Sequence, residues 1–302
     1  MGLVRVRGPL RALLLLCLPL LPGCTGLFFY PDREMVLNPA TLGLGFEQAR
    51  FRSVDGVRLH GWYLPAETER SPAGTVLFLH GNAENISNHL QVVDWLPGRG
   101  FNVFLFDYRG YGRSGGEVEL EGVLRDVRSA LAYLAEREPP GVPLAVLGQS
   151  LGGALAPYAV TRSEHRDRVE AVVLDSAFSG FRTITREKLA SVWITWPFQW
   201  LAGNVEDRFS PLRHVPDLAP IPLLVSHNLG DEVVPPSHAM DLYWNAVEPK
   251  RLWLFPDGRH GITYFRPQAR DLLAAYLWER FGQPGEPPEP GDGMPPFHLD
   301  TP

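Results

Sequence analysis

The stretch Gly148-Gln149-Ser150-Leu151-Gly152 sits between an apolar run over residues 143–147 and a helical pattern over residues 151–162. A serine at such a strand-to-helix turn is held in a strained backbone, with its hydroxyl exposed at the helix N-terminus, where the dipole favours negative charge. Bulky side chains at positions 148 and 152 would clash in so sharp a turn, and both are glycine. The chemistry open to such a hydroxyl is nucleophilic attack on an acyl carbon, once a base and an orienting acid reach it. The bare pattern arises by chance; between a strand and a helix it carries information.

The base belongs after the last strand and the acid after a late one. His260 lies in the glycine loop Phe255-Pro256-Asp257-Gly258-Arg259-His260-Gly261, which follows the apolar run 251–255. Asp231 and its neighbour Glu232 follow the run 222–226, while Asp175 ends the run 169–174 and is the rival acid. His80, in His80-Gly81-Asn82, is a second histidine near a strand end. Chain order places the base last, so His80 reads as a residue that orders its loop.

Residues at strand ends need a scaffold that aligns those ends. Apolar runs at 75–79, 102–106, 143–147, 169–174, 222–226 and 251–255 alternate with helical patterns at 87–98, 119–137 and 151–162. The runs are continuously apolar, as strands covered on both faces are. Such alternation predicts an α/β domain with a mostly parallel, doubly wound sheet. Residues 51–64 read as a hairpin turning at Asp55-Gly56. Residues 178–216 interrupt the alternation with Trp193, Trp196, Phe198, Trp200 and Leu201, and read as a cap insertion over the site. Residues 24–50, with Pro31 and Pro39, read as a linker and entry segment to a domain over 51–281. The Pro-, Gly- and acid-rich residues 282–302 cannot bury enough apolar area to fold and are expected to be disordered.

With these parts in place, residues 51–281 resemble an α/β-hydrolase of the membrane-associated esterase and thioesterase branch. The resemblance rests on Leu79-His80-Gly81-Asn82-Ala83, on Phe106-Asp107-Tyr108-Arg109-Gly110-Tyr111-Gly112 and on the serine turn, all at strand ends on one side of the sheet. It implies Ser150 as nucleophile and His260 as base. It implies an oxyanion hole made by the backbone amides of Asn82 and Leu151. The stretch His227-Asn228-Leu229-Gly230-Asp231-Glu232-Val233-Val234-Pro235 is similar to the family's H-G-x-x-D-x-x-V-P segment, with Asn228 where glycine is usual, and puts the acid at Asp231. The segment from Asp107 to Ser114, with its Asp and Arg, reads as a structural turn.

The N-terminus adds an address. Arg5, Arg7 and Arg11 precede a leucine-rich run over residues 12–21, which is half the ~20 residues a membrane-spanning helix needs. A charged start and a short apolar run form the signal-peptide pattern, here residues 1–23. Leu21-Pro22-Gly23-Cys24 resembles the bacterial lipobox, which implies a lipid on Cys24 and a membrane-anchored lipoprotein facing the periplasm. The only cysteines of the chain are Cys17 and Cys24, so the globular part has no disulfide, thiolate metal site or cysteine nucleophile. A net charge of -6 over 302 residues lacks the basic footprint of a nucleic-acid binder.

Together these readings lead to a serine hydrolase acting on small acyl esters or thioesters through an acyl-enzyme on Ser150, without metal or organic cofactor. Trp193, Trp196 and Trp200 are expected to line its acyl site. Two other readings use the same residues. A serine aminopeptidase shares the fold, and a non-catalytic binding lipoprotein on this scaffold would be marked by loss of the serine, the histidine or an oxyanion glycine.

Overall fold

The computed structural model of the protein describes residues 28–282 and the backbone of residues 297–300; the signal segment and Cys24 lie outside the described residues. Its strands are β1 (Tyr30–Pro31), β2 (Glu47–Arg52), β3 (Arg58–Leu64), β4 (Gly74–Leu79), β5 (Ala83–Glu84), β6 (Phe101–Asp107), β7 (Leu144–Gln149), β8 (Val169–Asp175), β9 (Leu223–Asn228), β10 (Lys250–Phe255) and β11 (Phe297–Asp300). The principal helices are α1 (Leu120–Arg137), α2 (Leu151–Thr161), α3 (Phe181–Ser191), α4 (Ser237–Asn245) and α5 (Pro267–Arg280).

Nine strands form one sheet in the order β11-β10-β9-β8-β7-β4-β6-β3-β2. The six from β6 to β10 are parallel, and antiparallel strands finish both edges. Strand residues alternate between two cores, because successive side chains point to opposite faces. Leu77, Leu79, Phe104, Phe106, Val146 and Val172 pack against Val123, Val127 and Leu131 of α1, Leu155 of α2 and Leu242 of α4. Val76, Phe78, Val103, Leu105, Leu147 and Val173 pack on the other face with Leu273 and Leu277 of α5 and Leu90 and Leu96 of the connecting segment. Every residue of β4, β6, β7 and β9 is buried, which is why their sequences carry no alternation. The chain leaves β4 to one side for β6 and returns to the other for β7. The loops after these strands therefore open a crevice where the strand order reverses.

Three segments differ from the sequence reading. Residues 87–98 form a helical turn at Ile86–His89 and 3-10 turns at Leu90–Val92 and Pro97–Arg99 in place of one helix. Buried Leu90, Val93 and Leu96 recur every third residue, which matches the 3-10 repeat better than 3.6. The supposed linker is packed from residue 28 onward: Phe29 is buried, β1 pairs with β5, and β2 begins at Glu47. In the tail, residues 297–300 pair antiparallel with β10, so part of 282–302 is a strand. The pairing occupies the otherwise open edge of β10 with backbone hydrogen bonds, which need no apolar sequence.

Candidate active site

Ser150 joins β7 to α2 with φ 53° and ψ −113°, a left-handed backbone that a non-glycine residue adopts only under constraint. The constraint is local. Its amide donates to the Asp175 carbonyl at 2.8 Å, and its neighbours cannot back away. A Cβ at Gly148 would lie 2.5 Å from the Gly152 carbonyl oxygen, and one at Gly152 would fall on the Leu79 carbonyl oxygen. The two glycines let the start of α2 press against the ends of β4 and β7, and this thrusts the serine side chain outward.

Ser150, His260 and Asp231 form one hydrogen-bonded chain. His260 Nε2 lies 2.9 Å from Ser150 Oγ, and His260 Nδ1 lies 2.7 Å from Asp231 Oδ2. The carboxylate accepts from Nδ1, which leaves Nε2 to accept from the hydroxyl. The other carboxylate oxygen of Asp231 accepts from the amides of Val233 and Val234, both at 2.8 Å. Burial works to raise the Asp231 pKa, but the hydrogen bond and charge of His260 outweigh it and hold the carboxyl below its usual range. His227 also approaches Asp231 Oδ2, at 3.5 Å, and burial lowers its pKa, so it packs there as a neutral group. Asp175, the rival acid, is fully buried and bonded to Ser226 Oγ at 2.9 Å; among the described contacts it makes no hydrogen bond to His260. Burial pushes its carboxyl up to about 6.

Asn82 and Leu151 line the same cavity as Ser150 and His260, and among the described contacts neither backbone amide has a hydrogen-bond acceptor. His80 is buried, stacked on Tyr108 with ring centroids 4.1 Å apart, and bonded through Nδ1 to the Gly81 carbonyl at 2.8 Å. Burial drives its imidazole well below the usual range, so it stays neutral and shapes the loop. The turn from Asp107 to Ser114 is likewise internal. Asp107 holds His60 Nδ1 at 3.1 Å, and Arg109 pairs with Asp126 at 2.7 Å.

The cavity has a volume of about 550 Å³, within the roughly 300–1,000 Å³ of small-molecule sites. Its apolar wall comes from Phe28, Phe178, Ile184, Leu189, Val192, Val233 and Val234, with Tyr30, Thr185, Lys188 and Thr195 beside them. None of the described lining residues is Asp or Glu. The cap does cover the site, but through α3. His238 accepts from the Ser179 amide at 3.0 Å and donates to Glu187 at 2.8 Å, which fastens α3 to α4. The expected acyl-site tryptophans are not part of this wall. Trp193, Trp196 and Trp200 are 85%, 60% and 70% exposed and border no part of the cavity. The face of α3 bearing Ile184 and Leu189 turns inward, with exposed Lys188 at the cavity's edge, and the following 3-10 run Trp196–Asn204 is left on the outside.

Four contributors escaped the sequence reading. Phe28 and Tyr30 were taken into the linker, although three consecutive aromatics, Phe28-Phe29-Tyr30, are unusual in a linker. His89 and Gln149 support the histidine loop. Gln149 Nε2 donates to the Gly261 carbonyl at 2.8 Å, and its Oε1 lies 3.2 Å from His89 Nδ1. Gln149 occupies the unspecified second place of the serine motif, so no pattern could single it out.

Among the described residues no cluster of histidine, cysteine, aspartate and glutamate is arranged to hold a metal ion, and no helix is long and apolar enough to cross a membrane. Comparison with known proteins supplies the family and agrees with the fold. A family described as "Serine aminopeptidase, S33" matches residues 70–218. The uncharacterized protein YfhR of Escherichia coli (strain K12) is 36% identical over 277 residues, covering 86% of this chain and 91% of YfhR. The alpha/beta hydrolase domain-containing protein WAV2 of Arabidopsis thaliana is 33% identical over 268 residues, covering 83% of this chain and 81% of WAV2. The solved esterase Pf2001 of Pyrococcus furiosus superposes with a TM-score of 0.67 at 21% identity, covering 84% of this chain and 98% of that one, a likeness of fold. A mostly parallel sheet with a strained serine at the end of its central strand defines a hydrolase of the α/β class. Within that class the chain belongs to the α/β-hydrolase family that includes YfhR and WAV2.

Proposed function

We propose that the protein is a serine hydrolase that cleaves carboxylic esters or thioesters of acyl substrates through an acyl-enzyme on Ser150. The observation that carries the reading is the Ser150–His260–Asp231 hydrogen-bond chain opening beneath an apolar cavity. His260 Nε2 takes the hydroxyl proton as Ser150 Oγ bonds to the acyl carbon. Asp231 holds the imidazole tautomer and stabilises its positive form. The carbonyl oxygen, now negative, is met by the Asn82 and Leu151 amides; loss of one such donor costs about 10²–10³ in turnover. The proton passes from His260 to the departing alcohol or thiol. Water then gives a proton to His260 and attacks the acyl-enzyme, releasing the acid and restoring the serine.

The absence of carboxylates from the described cavity lining favours an acyl group over a free amino terminus, which an aminopeptidase must hold through its ammonium. A lipid on Cys24 would keep the enzyme at the bacterial envelope membrane near amphiphilic substrates. Labelling with a fluorophosphonate probe tests the reading. Wild type is expected to be labelled stoichiometrically and to hydrolyse acyl esters, and Ser150→Ala to lose both while keeping its melting temperature. Labelling that persists in Ser150→Ala would place the nucleophile elsewhere.

A further inference from the structure

The outer surface of the cap is apolar without a partner. Val192, Trp193, Ile194, Trp196, Phe198 and Trp200 are all exposed, within nine consecutive positions. Isolated exposed apolar residues are ordinary; a contiguous group led by three tryptophans is not. Tryptophan is the side chain most suited to the boundary between water and acyl chains, since its ring is apolar and its indole N–H is polar.

Three further observations say what covers it. The patch is continuous with the cavity, because Val192 belongs to both and exposed Tyr30 stands at the cavity rim. The helix that leads into the patch is basic in an acidic protein. Arg182, Arg186 and Lys188 are exposed on α3, whose one acid, Glu187, is engaged by His238, whereas the whole chain is at -6. Anionic lipid headgroups complement that charge. Finally, the described chain begins at the same place, four residues after Cys24. Phe28 packs on Phe178 and Phe181 at the foot of the cap, with ring centroids 6.2 and 5.0 Å away. Only four steps separate it from Cys24, so a lipid on that residue cannot be attached further than ~14 Å from Phe28.

We propose that the aromatic face of the cap docks into the headgroup–acyl boundary of an anionic bilayer, as a second attachment beside the lipid on Cys24, and turns the cavity mouth toward the lipid. The proposal rests on the reading of Cys24 as a lipidated membrane anchor, and not on the catalytic reading.

The test uses the full chain reconstituted with phosphatidylcholine–phosphatidylglycerol vesicles whose acyl chains are brominated near the glycerol end. Bromine quenches tryptophan only on contact. Flotation reads the anchor; quenching reads the docking; hydrolysis enters neither, so failure of the catalytic reading leaves both signals in place. Wild-type emission is expected to be quenched. Trp244→Phe, which removes the exposed tryptophan outside the patch, is expected to leave that quenching unchanged. The triple variant Trp193→Phe, Trp196→Phe, Trp200→Phe keeps an aromatic surface but removes the reporters, and is expected to lose more than half of it. A chain that floats without quenching overturns the docking and spares the anchor, as does quenching lost in Trp244→Phe instead. A chain that does not float overturns both. Protection of the patch from aqueous iodide without bromine quenching would assign it to a protein surface, including a second copy, and overturn the proposal.

Discussion

Nδ2 of Asn228 donates to the carbonyl of Arg259 at 3.0 Å, so the last residue of β9 grips the residue that precedes His260. The same nitrogen donates to Thr263 Oγ1 at 2.9 Å, and the amide oxygen accepts from Arg266. Asn228 is three residues ahead of Asp231. The strand that delivers the acid therefore also holds the loop that delivers the imidazole, and one buried amide sets their separation. Glycine, usual at this place in similar sequences, has no side chain to do so.

Asn228→Gly tests the brace. It leaves the Arg259 carbonyl and the Thr263 hydroxyl short of a donor in a buried site, at a cost of about 1–3 kcal/mol. The expected outcome is a melting temperature lower by several degrees and a reduced kcat on a soluble ester, with KM little changed. Wild-type values of both would show that the loop holds itself.

The two buried aspartates separate by what their loss does. Asp231→Asn is expected to lower kcat on the order of 10⁴, since an amide at Oδ2 favours the wrong imidazole tautomer. Asp175→Asn is expected to change turnover far less and to alter stability with pH. The folded carboxyl of Asp175 titrates at about 6 against 3.8 in a model peptide. Stability from its neutral form is thus complete below about pH 4 and lost as pH rises through about 6, an effect on the order of 3 kcal/mol. Melting curves of both proteins between pH 4 and pH 8 should show the variant gaining on the wild type as pH rises. A difference independent of pH would contradict this, and a large fall in kcat for Asp175→Asn with a mild one for Asp231→Asn would reverse the assignment.

What the sequence made legible follows from what constrains each residue. Ser150 and His260 stand at strand ends in glycine loops demanded by backbone geometry, so motif and position point to them; spacing leaves Asp231, Glu232 and Asp175 open as the acid, and the family resemblance chooses Asp231. The inner wall of the cavity is different. Phe28, Phe178, Ile184 and Val234 come from separate segments that meet only in the folded chain. The tryptophans of the cap misled because apolarity says that a residue avoids water without saying what it faces. Of the 3-10 run Trp196–Asn204 only Ala202 is buried, so its aromatics are left outside, whereas α3 beside it buries Phe181 and Ile184.

Gln149 tests whether positioning of the histidine loop limits turnover. Its amide reaches the Gly261 carbonyl on one side and His89 on the other, so it ties the serine turn to the residue after His260. Gln149→Leu keeps the volume and removes both bonds. A small displacement of an aligned base can lower turnover by up to about 10² without touching substrate. The expected result is a kcat reduced ten- to a hundredfold with KM within about twofold, and a fluorophosphonate labelling rate reduced in parallel. A change confined to KM would assign Gln149 to substrate binding instead.

Chain-length preference tests the acyl cavity. The wall formed by Phe178, Ile184, Leu189 and Val234 can cover methylenes, each contributing about 0.8 kcal/mol of binding. Rates on p-nitrophenyl esters, measured as kcat/KM, should therefore rise from acetate to a medium chain and fall once the cavity is full. Two variants locate the wall. Ile184→Trp fills the cavity from inside and should move the optimum to shorter chains, with acetate hydrolysis retained. Trp193→Ser lies on the outer face and should leave the optimum where it is for esters in free solution. Flat rates from acetyl to decanoyl would mean that the cavity does not hold the acyl chain. An optimum that shifts with Trp193→Ser and not with Ile184→Trp would move the acyl site to the outside of the cap.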